Sequence, residues 1–380
     1  MPRPRRETRD AGVGGRRGTR IATWSACALL VAATALPLVP TEDWWIRILD
    51  FPRPHIAALL ALALPAAWAL LDRRRAAARA LLAAMLVALG AQLHRVWPYT
   101  PLHPVQAPAA AHCAPEHRLS VLTANLREGN SGAGPFLEEV RRADPDLVFV
   151  VEVDRRWVAA LRPLEERYPH RLLHPRDDFW GFALYSRLEL VDPEVRHLLS
   201  DYVPSLLTGL VLPSGATAEV HGLHPKPPLP GEGTGQRDAE LLLAAEAARE
   251  GGRAAVVAGD LNAVAWSATT ALFQRIGGLL DPRIGRGVFP TFPVWLPWPL
   301  RVPIDHVFFT PEFRLLALER LPDIGSDHLP LLVRLCHAGP GADPVPPPGR
   351  VPQPTEADWR RAREAIRDGR EDAPGVRPRD

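Results

Sequence analysis

The chain has 380 residues, and its 45 basic and 43 acidic side chains leave a formal net charge of only +2. The charge is unevenly distributed, because residues 1–112 carry 14 arginines against 6 acids, whereas residues 113–337 carry 23 basic against 29 acidic side chains. An acidic domain of this kind argues against tight, sequence-independent binding of long nucleic acid. The length suffices for one large domain or two modest ones.

The N-terminal part predicts a membrane segment. Residues 1–20 form an arginine-rich arm that we expect to be disordered and cytoplasmic. Residues 21–95 contain three apolar runs, at 21–40, 55–71 and 76–93, and each is close to the length that crosses a bilayer. They predict three transmembrane helices. A cleaved signal peptide is the alternative for the first run, but two further runs follow it closely.

The arginines also predict the orientation of these spans. The arm and the turn at Arg73, Arg74 and Arg75 mark cytoplasmic ends, so three crossings place the remaining chain outside. Residues 96–117 form a Pro-rich spacer. We therefore expect a multi-pass protein of the cell (inner) membrane with an extracytoplasmic domain. Two crossings would instead leave that domain in the cytoplasm.

From residue 118 onward, short apolar runs alternate with helical segments, which is typical of an α/β domain. Several runs end in a polar side chain that can bind a phosphate or a metal, namely Asn125, Glu152 and His224. A surface position would explain Asn125 alone. Glu152 is different, because it follows a run apolar enough to be a buried strand.

The apolar run at 256–258 leads through Gly259 to Asp260 and Asn262. Residues two apart on a strand face the same side, so this acid and this amide should lie side by side. Such a pair can bind a hard cation or hold a phosphoryl oxygen. A turn with Asx hydrogen bonds is the competing interpretation.

Two Asp-His pairs follow near the end of the domain. Asp305 and His306 begin one apolar run, and Asp327 and His328 precede the last run, 329–335. An imidazole oriented by a carboxylate is suited to proton transfer.

In this order the motifs resemble the endonuclease/exonuclease/phosphatase superfamily, which has the deoxyribonuclease-I-like fold. The motifs are Asn125, Glu152, His224, Asp260-Leu261-Asn262, Ile304-Asp305-His306 and Ser326-Asp327-His328. The resemblance covers the domain at 118–337, and the N-terminal spans are similar to the bacterial membrane-anchored branch. It implies a four-layer α/β sandwich, in which two central mixed β-sheets are flanked by helices.

The resemblance further implies a site for Mg²⁺ or Mn²⁺. Its metal ligands would be Asn125, Glu152 and Asp327. Its catalytic residues would be His224, Asp260, Asn262, Asp305 and His328. Within that set, Asp305 would orient His328, while Asp260 and His328 remain alternative general bases. His306 is expected to be a neighbour without a catalytic role.

We therefore expect a membrane-embedded, metal-dependent hydrolase of phosphate esters. Its substrate would be a lipid, a small phosphoester or a short nucleic acid, and no obligate protein partner is evident. A catalytically inactive, membrane-tethered binding module of the same fold is the alternative. A protein whose function lies in its crossings is a third hypothesis, disfavoured because the apolar runs contain almost no charge.

Two cysteines predict a disulfide. Cys113 precedes the first strand of the domain and Cys336 ends the last one, so both should lie at the sheet end opposite the site. In an oxidising compartment such a pair would be bridged, whereas a Cα separation well above 7 Å would exclude the bridge.

Two segments outside the motifs carry further expectations. Residues 292–299 are apolar and rich in proline, and form either a packed loop or an exposed aromatic rim. Full burial of Trp295 and Trp298 would exclude the rim. Residues 338–380 form a Pro-rich, charged tail that we expect to be mostly disordered, apart from a short helix capped at Thr355 and running through Arg367.

Overall fold

The computed structural model of the protein contains two compact units, Met1–Trp97 and Pro98–Asp380. Residues 7–17 are described by their helical backbone alone. The full description extends over residues 18–130, 132–338 and 351–373. Residues 1–6 of the predicted basic arm and two parts of the predicted tail lie outside the described residues. The backbone of residues 7–20 is helical, so the expectation of disorder is wrong for that part of the arm.

The first unit is helical. Its helices are α1 (Glu7–Ala35), α2 (Trp44–Arg47), α3 (Arg53–Leu70) and α4 (Ala76–Val96). Three stretches are long and apolar enough to cross a membrane, namely Gly18–Leu38, Arg53–Leu70 and Ala76–Tyr99. They correspond to the three apolar runs of the sequence, and so the three predicted helices are confirmed.

A buried polar network connects three of these helices. The Arg53 guanidinium donates to Asp50 and, at 3.1 Å, to Oε1 of Gln92. Gln92 in turn donates to Oγ1 of Thr34 at 3.0 Å. A buried ion pair needs hydrogen-bond partners to offset its desolvation, and these amide and hydroxyl groups supply them. The described part of the apolar unit thus contains a buried charged pair, Arg53 and Asp50, that the apolar runs do not indicate.

The second unit is built on two β-sheets. Its strands are β1 (Arg118–Asn125), β2 (Leu147–Val151), β3 (His170–His174), β4 (Phe182–Ser186), β5 (Leu190–Arg196), β6 (Ser205–Val211), β7 (Thr217–Leu223), β8 (Ala254–Asp260), β9 (Asp305–Phe309), β10 (Phe313–Arg320) and β11 (Leu331–His337). The first sheet has the order β10–β11–β1–β2–β4–β3 and the second the order β5–β6–β7–β8–β9. Because β1 runs parallel to β2, and β7 to β8, while their other neighbours are antiparallel, both sheets are mixed.

Helices cover the outer face of each sheet. They are α5 (Ala133–Ala143), α6 (Arg155–Ala160), α7 (Gly235–Glu250), α8 (Ala268–Gly277) and α9 (Glu356–Glu371). Side chains of α5 and α6 share a core with the first sheet, and those of α7, α8 and α9 share one with the second. A third core lies between the sheets. The order is therefore helices, sheet, sheet, helices, which confirms the four-layer sandwich.

Strand β1 shows how the sequence produces these layers. Leu119 and Val121 pack in the core between the sheets, whereas Leu122 and Ala124 pack against the helices. Alternate residues of a strand face opposite sides, so a strand buried on both faces must be apolar throughout. This explains why β2 is apolar throughout and why the interior of β1 is interrupted only by Ser120 and Thr123.

The predicted disulfide is present. Strand β11 pairs antiparallel with β1, with Cys336 opposite Arg118. This pairing brings Cys336 to Cys113, and their Cα atoms lie 5.8 Å apart. The bridge joins residues separated by 223 positions and connects the segment before β1 to the end of β11.

The helix predicted in the tail is α9. Thr355 and Asp358 form a capping box at its start, as the sequence indicates. The helix continues beyond the predicted Arg367 to Glu371. Gly369 explains its close packing on α7, because an added Cβ would lie 2.6 Å from the Cβ of Ala239. The expectation of disorder in the rest of the tail stays a prediction.

Candidate active site

The polar residues predicted from strand ends meet at one edge of the sandwich. Asn125 ends β1, and Glu152 follows the parallel strand β2. In the second sheet, His224 and Asp260 follow Leu223 and Gly259, which are paired between parallel strands. The carboxyl ends of parallel strands lie together, so each sheet contributes two of these side chains to the same edge.

Gly259 allows Asp260 to reach this edge. Its φ of 142° lies in a region that favours glycine, and an added Cβ would lie 1.9 Å from the carbonyl oxygen of Leu223. Glycine is therefore required at position 259, because any side chain there would prevent β7 from pairing with β8.

Two site residues have left-handed backbone conformations. Glu152 has φ of 58° and Asn262 has φ of 50°. Asn tolerates this region, whereas Glu seldom adopts it, and such residues cost roughly 1–3 kcal/mol each. The turn at Glu152 interrupts the alternation of β2, and the side chain lies against Asn125.

Asn125 links the acids of the two sheets. Its Nδ2 donates to Oε1 of Glu152 at 2.7 Å and to Oδ2 of Asp260 at 3.2 Å. The other oxygen of Glu152 accepts the N–H of Glu128 at 3.1 Å. The Ser326 hydroxyl donates to the carbonyl of Asn125 at 2.7 Å and accepts the N–H of His328, which ties the last motif to the first.

Asp260 lies between two imidazoles. Its Oδ2 is 3.8 Å from Nε2 of His224 and 3.6 Å from Nε2 of His328. Nδ1 of His328 is 2.8 Å from Oδ2 of Asp305, which orients the ring. All four side chains are buried. The structure thus places the predicted carboxylate–imidazole pair, Asp305 and His328, directly beside Asp260.

The charges of this cluster depend strongly on burial. Burial disfavours the imidazolium of His328, but the carboxylates of Asp305 and Asp260 outweigh this and raise its pKa to about 10. Burial lowers the pKa of His224, and Asp260 opposes that shift only in part. Burial raises the pKa values of Asp260 and Glu152. The surrounding protein groups therefore do not fully stabilise the negative charges of Asp260 and Glu152.

Strand alternation separates Asp305 from His306. Asp305 shares the inner face of β9 with Val307, whereas His306 faces the helices together with Phe308. There its Nε2 lies 2.8 Å from the carbonyl oxygen of Ala263.

The other ring nitrogen of His306 faces Arg283. Nε2 of His306 donates to the Ala263 carbonyl, so Nδ1 is the acceptor for the Arg283 guanidinium. Arg283 also forms a fully buried pair with Asp281, with Nε–Oδ1 at 2.8 Å. Burial and this guanidinium hold the pKa of His306 well below its usual range. A neutral His306 on the back of β9 agrees with the expectation that it is not catalytic.

The remaining two predicted site residues, Asn262 and Asp327, lie at the margin of this cluster. Nδ2 of Asn262 donates to the carbonyl of Pro225 at 2.9 Å, which holds the loop that carries His224. Asp327 is half-buried, and its carboxylate is 3.9 Å from the exposed guanidinium of Arg127. The structure thus brings together Asn125, Glu152, His224, Asp260, Asp305 and His328, with Asn262 and Asp327 beside them.

The family profile described as Endonuclease/Exonuclease/phosphatase family matches residues 122–328, which is more than half of the chain. The chain belongs to the endonuclease/exonuclease/phosphatase family. The matched residues begin in β1 and end at His328, so they include every predicted site residue. No curated protein matches the chain in sequence.

Several solved structures are similar to this family member. The endonuclease/exonuclease/phosphatase from Bacteroides vulgatus is 20% identical, with a TM-score of 0.49, over 58% of this chain and 99% of the other. Humanized D. rerio TDP2 is 16% identical, with a TM-score of 0.47, over 58% and 99%. The human Nocturnin catalytic domain with bound sulfate is 17% identical, with a TM-score of 0.45, over 60% and 96%.

Two sets of side chains in this family member could hold a metal ion. Ligand atoms of Asp260, Asp305 and His328 lie within 4.8 Å of one another. A coordinating imidazole must be neutral, however, and two carboxylates favour the protonated form of His328. Glu152 and Asn125 instead offer the oxygen donors that a hard cation prefers, with Asp327 nearby. A cation there would also offset the raised pKa of Glu152.

Some neighbours of the site were not predicted. The rings of Trp180 and Phe292 lie against His224 and His328, with centroids 5.3 Å and 4.7 Å away. Thr291 is fully buried, and its carbonyl accepts the N–H of Leu329 beside His328. Phe292 begins the apolar segment 292–299 noted in the sequence, whereas Thr291 was not singled out. Trp180 gave no signal, because it lies in a loop before β4.

Proposed function

We propose that the protein is a membrane-anchored hydrolase that cleaves phosphate esters with an activated water and a divalent cation, Mg²⁺ or Mn²⁺. The observation that carries the proposal is the position of Asp260. It lies between two imidazoles and next to the amide and carboxylate of Asn125 and Glu152. A phosphate there would meet donors on one side and a proton acceptor on the other.

Glu152 and Asn125, with Asp327 beside them, would hold the cation. When bound, it would neutralise charge on the phosphate and on the leaving oxygen. The donor set consists of oxygen ligands and includes few carboxylates, which suits an ion that keeps several of its waters. The left-handed conformation of Glu152 aims its carboxylate at this position rather than into the core.

The side chains of the second sheet would perform the proton chemistry. Asp305 orients His328, and two carboxylates favour its imidazolium, so His328 would donate a hydrogen bond to a phosphoryl oxygen. Asp260 would orient the water and accept its proton as the water oxygen bonds to phosphorus and the ester P–O bond breaks. His224 retains one N–H in its neutral form and would hold a second phosphoryl oxygen.

The competing function is a catalytically inactive binding module of the same fold. A direct comparison is Glu152→Gln against Glu138→Gln, which changes an exposed acid on α5. Full-length protein in detergent would be tested with Mg²⁺ or Mn²⁺ on p-nitrophenyl phosphate, bis-p-nitrophenyl phosphate, a phospholipid and a short oligonucleotide. We expect hydrolysis of at least one ester, loss of about a hundredfold or more in kcat for Glu152→Gln, and no loss for the control. No hydrolysis by the native protein would favour the binding module.

Metal binding can be measured separately from turnover. Titration calorimetry with Mn²⁺ should show one site in the native protein and a weaker one in Glu152→Gln. Asp305→Asn should keep the site, because Asp305 contacts His328 rather than the oxygen donors. Equal Mn²⁺ affinity in the native protein and Glu152→Gln would reject Glu152 as a ligand.

We also propose that the domain lies outside the cytoplasm. Three helices long enough to span a membrane support an odd number of crossings, and the Cys113–Cys336 bridge fits an oxidising compartment. Reporter fusions after residue 373 test this orientation. An alkaline phosphatase fusion should be active and a green fluorescent protein fusion dark, and the reverse pattern would place the domain in the cytoplasm.

A further inference from the structure

Each of the two imidazoles beside Asp260 is covered by an aromatic ring that leads to the surface. Trp180 lies against His224 and makes an edge contact with Tyr202, at a centroid distance of 6.1 Å. Phe292 lies against His328 and makes an edge contact with Trp295, at 5.8 Å. The outer ring of each pair is exposed, with Tyr202 at 48% and Trp295 at 65%. The phosphate site is therefore continuous with aromatic surface on both sides.

The more exposed of these surfaces is the tryptophan loop, which we define as residues 292–302. Its ends are joined by a bridge between Phe292 and Val302. The Arg301 side chain donates to the carbonyls of Val294 and Leu296, at 2.6 Å and 2.7 Å. The N–H of Val294 donates to the carbonyl of Asp327 at 2.9 Å. The loop is thus held in one shape and attached to the motif that carries His328.

The side chains that this loop presents are apolar. Trp295, Trp298 and Leu300 are 65%, 59% and 46% exposed, so the buried alternative for this segment is excluded. Pro297 and Pro299 separate them and offer no backbone N–H. Contiguous exposed apolar side chains beside a site are a mark of ligand contact. Arg301 keeps its positive charge, but two of its N–H groups are bonded to the loop's own carbonyls, which fixes the guanidinium against the loop backbone.

Two ligand classes use exposed aromatic rings, namely hydrocarbon chains and unstacked nucleobases. Nucleobase binding normally accompanies a basic groove that follows the phosphates, whereas residues 113–337 carry 23 basic against 29 acidic side chains. The aliphatic Leu300 and the prolines also lack groups that could read a base edge. A chain with three potential membrane spans would be retained at a bilayer, where amphipathic phosphate esters are concentrated.

We propose that the tryptophan loop selects the substrate by receiving the hydrocarbon chain of an amphipathic phosphate ester whose phosphate lies at Asp260. This inference rests on the proposed hydrolase function and narrows its substrate to lipid-like esters. Trp295 is the inner contact, because it continues the ring path from His328 through Phe292. Trp298 and Leu300 are the other exposed apolar side chains that the loop offers to the hydrocarbon chain.

The test uses esters that share one leaving group. Butyl, hexadecyl and thymidine 5′- p-nitrophenyl phosphates differ only in the group opposite the p-nitrophenolate. Full-length protein in detergent should show kcat/KM at least about tenfold higher for the hexadecyl than for the butyl ester. The double variant Trp295→Ser, Trp298→Ser and the milder Leu300→Ser should move that ratio toward one. Leu102→Ser changes an apolar side chain that is 78% exposed in the spacer, and should keep the native ratio.

Each outcome decides one point. A native ratio near one, with both esters hydrolysed, overturns the inference and leaves the hydrolase intact, even if the double variant fails to fold. A native preference for the thymidine ester that the variants abolish assigns the loop to nucleobases instead. If Leu102→Ser lowers the hexadecyl-to-butyl ratio as much as the loop variants do, the preference reflects partitioning of the hexadecyl ester into micelles, and the inference is overturned. Hydrolysis of none of the three diesters overturns the inference, and hydrolysis of none of the esters in the earlier panel as well rejects the proposed function itself.

Discussion

Glu240 provides a prediction about stability that is independent of catalysis. It lies on α7, is 3% exposed, and its Oε1 has no hydrogen-bond partner among the described residues. Burial raises its pKa from 4.5 to about 8, and Lys226 opposes this shift only in part. In the unfolded chain the same carboxyl ionises near 4.5. Folding therefore keeps a proton on Glu240 over a pH range in which the unfolded chain has lost it.

The sign and size of the effect follow from this difference. Below pH 4.5 the carboxyl is protonated in both states and contributes no penalty. As the pH rises from 4.5 to about 8, only the unfolded state ionises, so the free energy of unfolding falls. Each pKa unit corresponds to about 1.4 kcal/mol, which gives a total loss of up to about 5 kcal/mol. Above pH 8 the loss is constant.

Glu240→Gln removes the ionisable group with little change in shape. We expect the variant to match the native protein near pH 4.5 and to be more stable by about 3–5 kcal/mol near pH 9. Urea unfolding of the full chain in detergent, quantified by pulse proteolysis at several pH values, measures both. Glu250→Gln, at the exposed end of the same helix, is the matched control. A stability difference that stays constant between the two pH values would refute the assignment of a buried, protonated Glu240.

Three further predictions concern the bridge, the buried pair behind β9 and the orienting acid. Replacing Cys113 and Cys336 by Ala should lower the free energy of unfolding by about 5 kcal/mol, because the bridge closes a loop of 223 residues. A decrease of less than about 1 kcal/mol in urea titrations would contradict this prediction. Arg283→Met should lower the free energy of unfolding by about 3–5 kcal/mol in the same assay, because it leaves the Asp281 carboxylate buried without its partner. An unchanged stability would show that water replaces the guanidinium as the partner of Asp281. Asp305→Asn should lower kcat by about a hundredfold or more with little change in Mn²⁺ affinity, and an unchanged kcat would remove Asp305 from the proton chemistry.

The sequence predicts which side chains lie together where a polar residue directly follows a strand. Asn125, Glu152 and Asp260 each come after an apolar run, and runs buried on both faces must be central strands whose ends meet. The same alternation separates Asp305 from His306, because neighbours on a strand cannot face one site. The grouping of the strand-end residues needs only the period of a strand and the order of the motifs, whereas the expectation for His306 rests on the resemblance to the family.

Other parts of the site depend on contacts between distant loops. Arg283 lies in an irregular segment, and nothing in its local sequence indicates that it meets His306 across β9. Trp180 reaches His224 only because the loop before β4 folds toward the end of β7. The left-handed Glu152 runs against the local preference of Glu, which the surrounding structure overrides. Such features follow from tertiary packing, and no periodic pattern encodes them.

Helix α9 shows both kinds of information, because its start is encoded locally and its end depends on tertiary packing. A Thr followed three residues later by Asp predicts the start of α9, and the structure has this capping box. The end of the helix and its contact with α7 depend on Gly369, whose missing side chain lets the two backbones approach. A local signal therefore gives the beginning of α9, and packing against another helix gives its extent.

The bridge between Cys113 and Cys336 also affects how the protein would respond to proteolysis. A cut in any surface loop between these residues would divide the sandwich into two pieces that remain covalently joined. The piece that carries Cys336 would stay attached to the N-terminal helices, which continue directly into the other piece, until a reductant opened the bridge. The two pieces of a nicked domain would therefore migrate together on a non-reducing gel and separate only on a reducing gel.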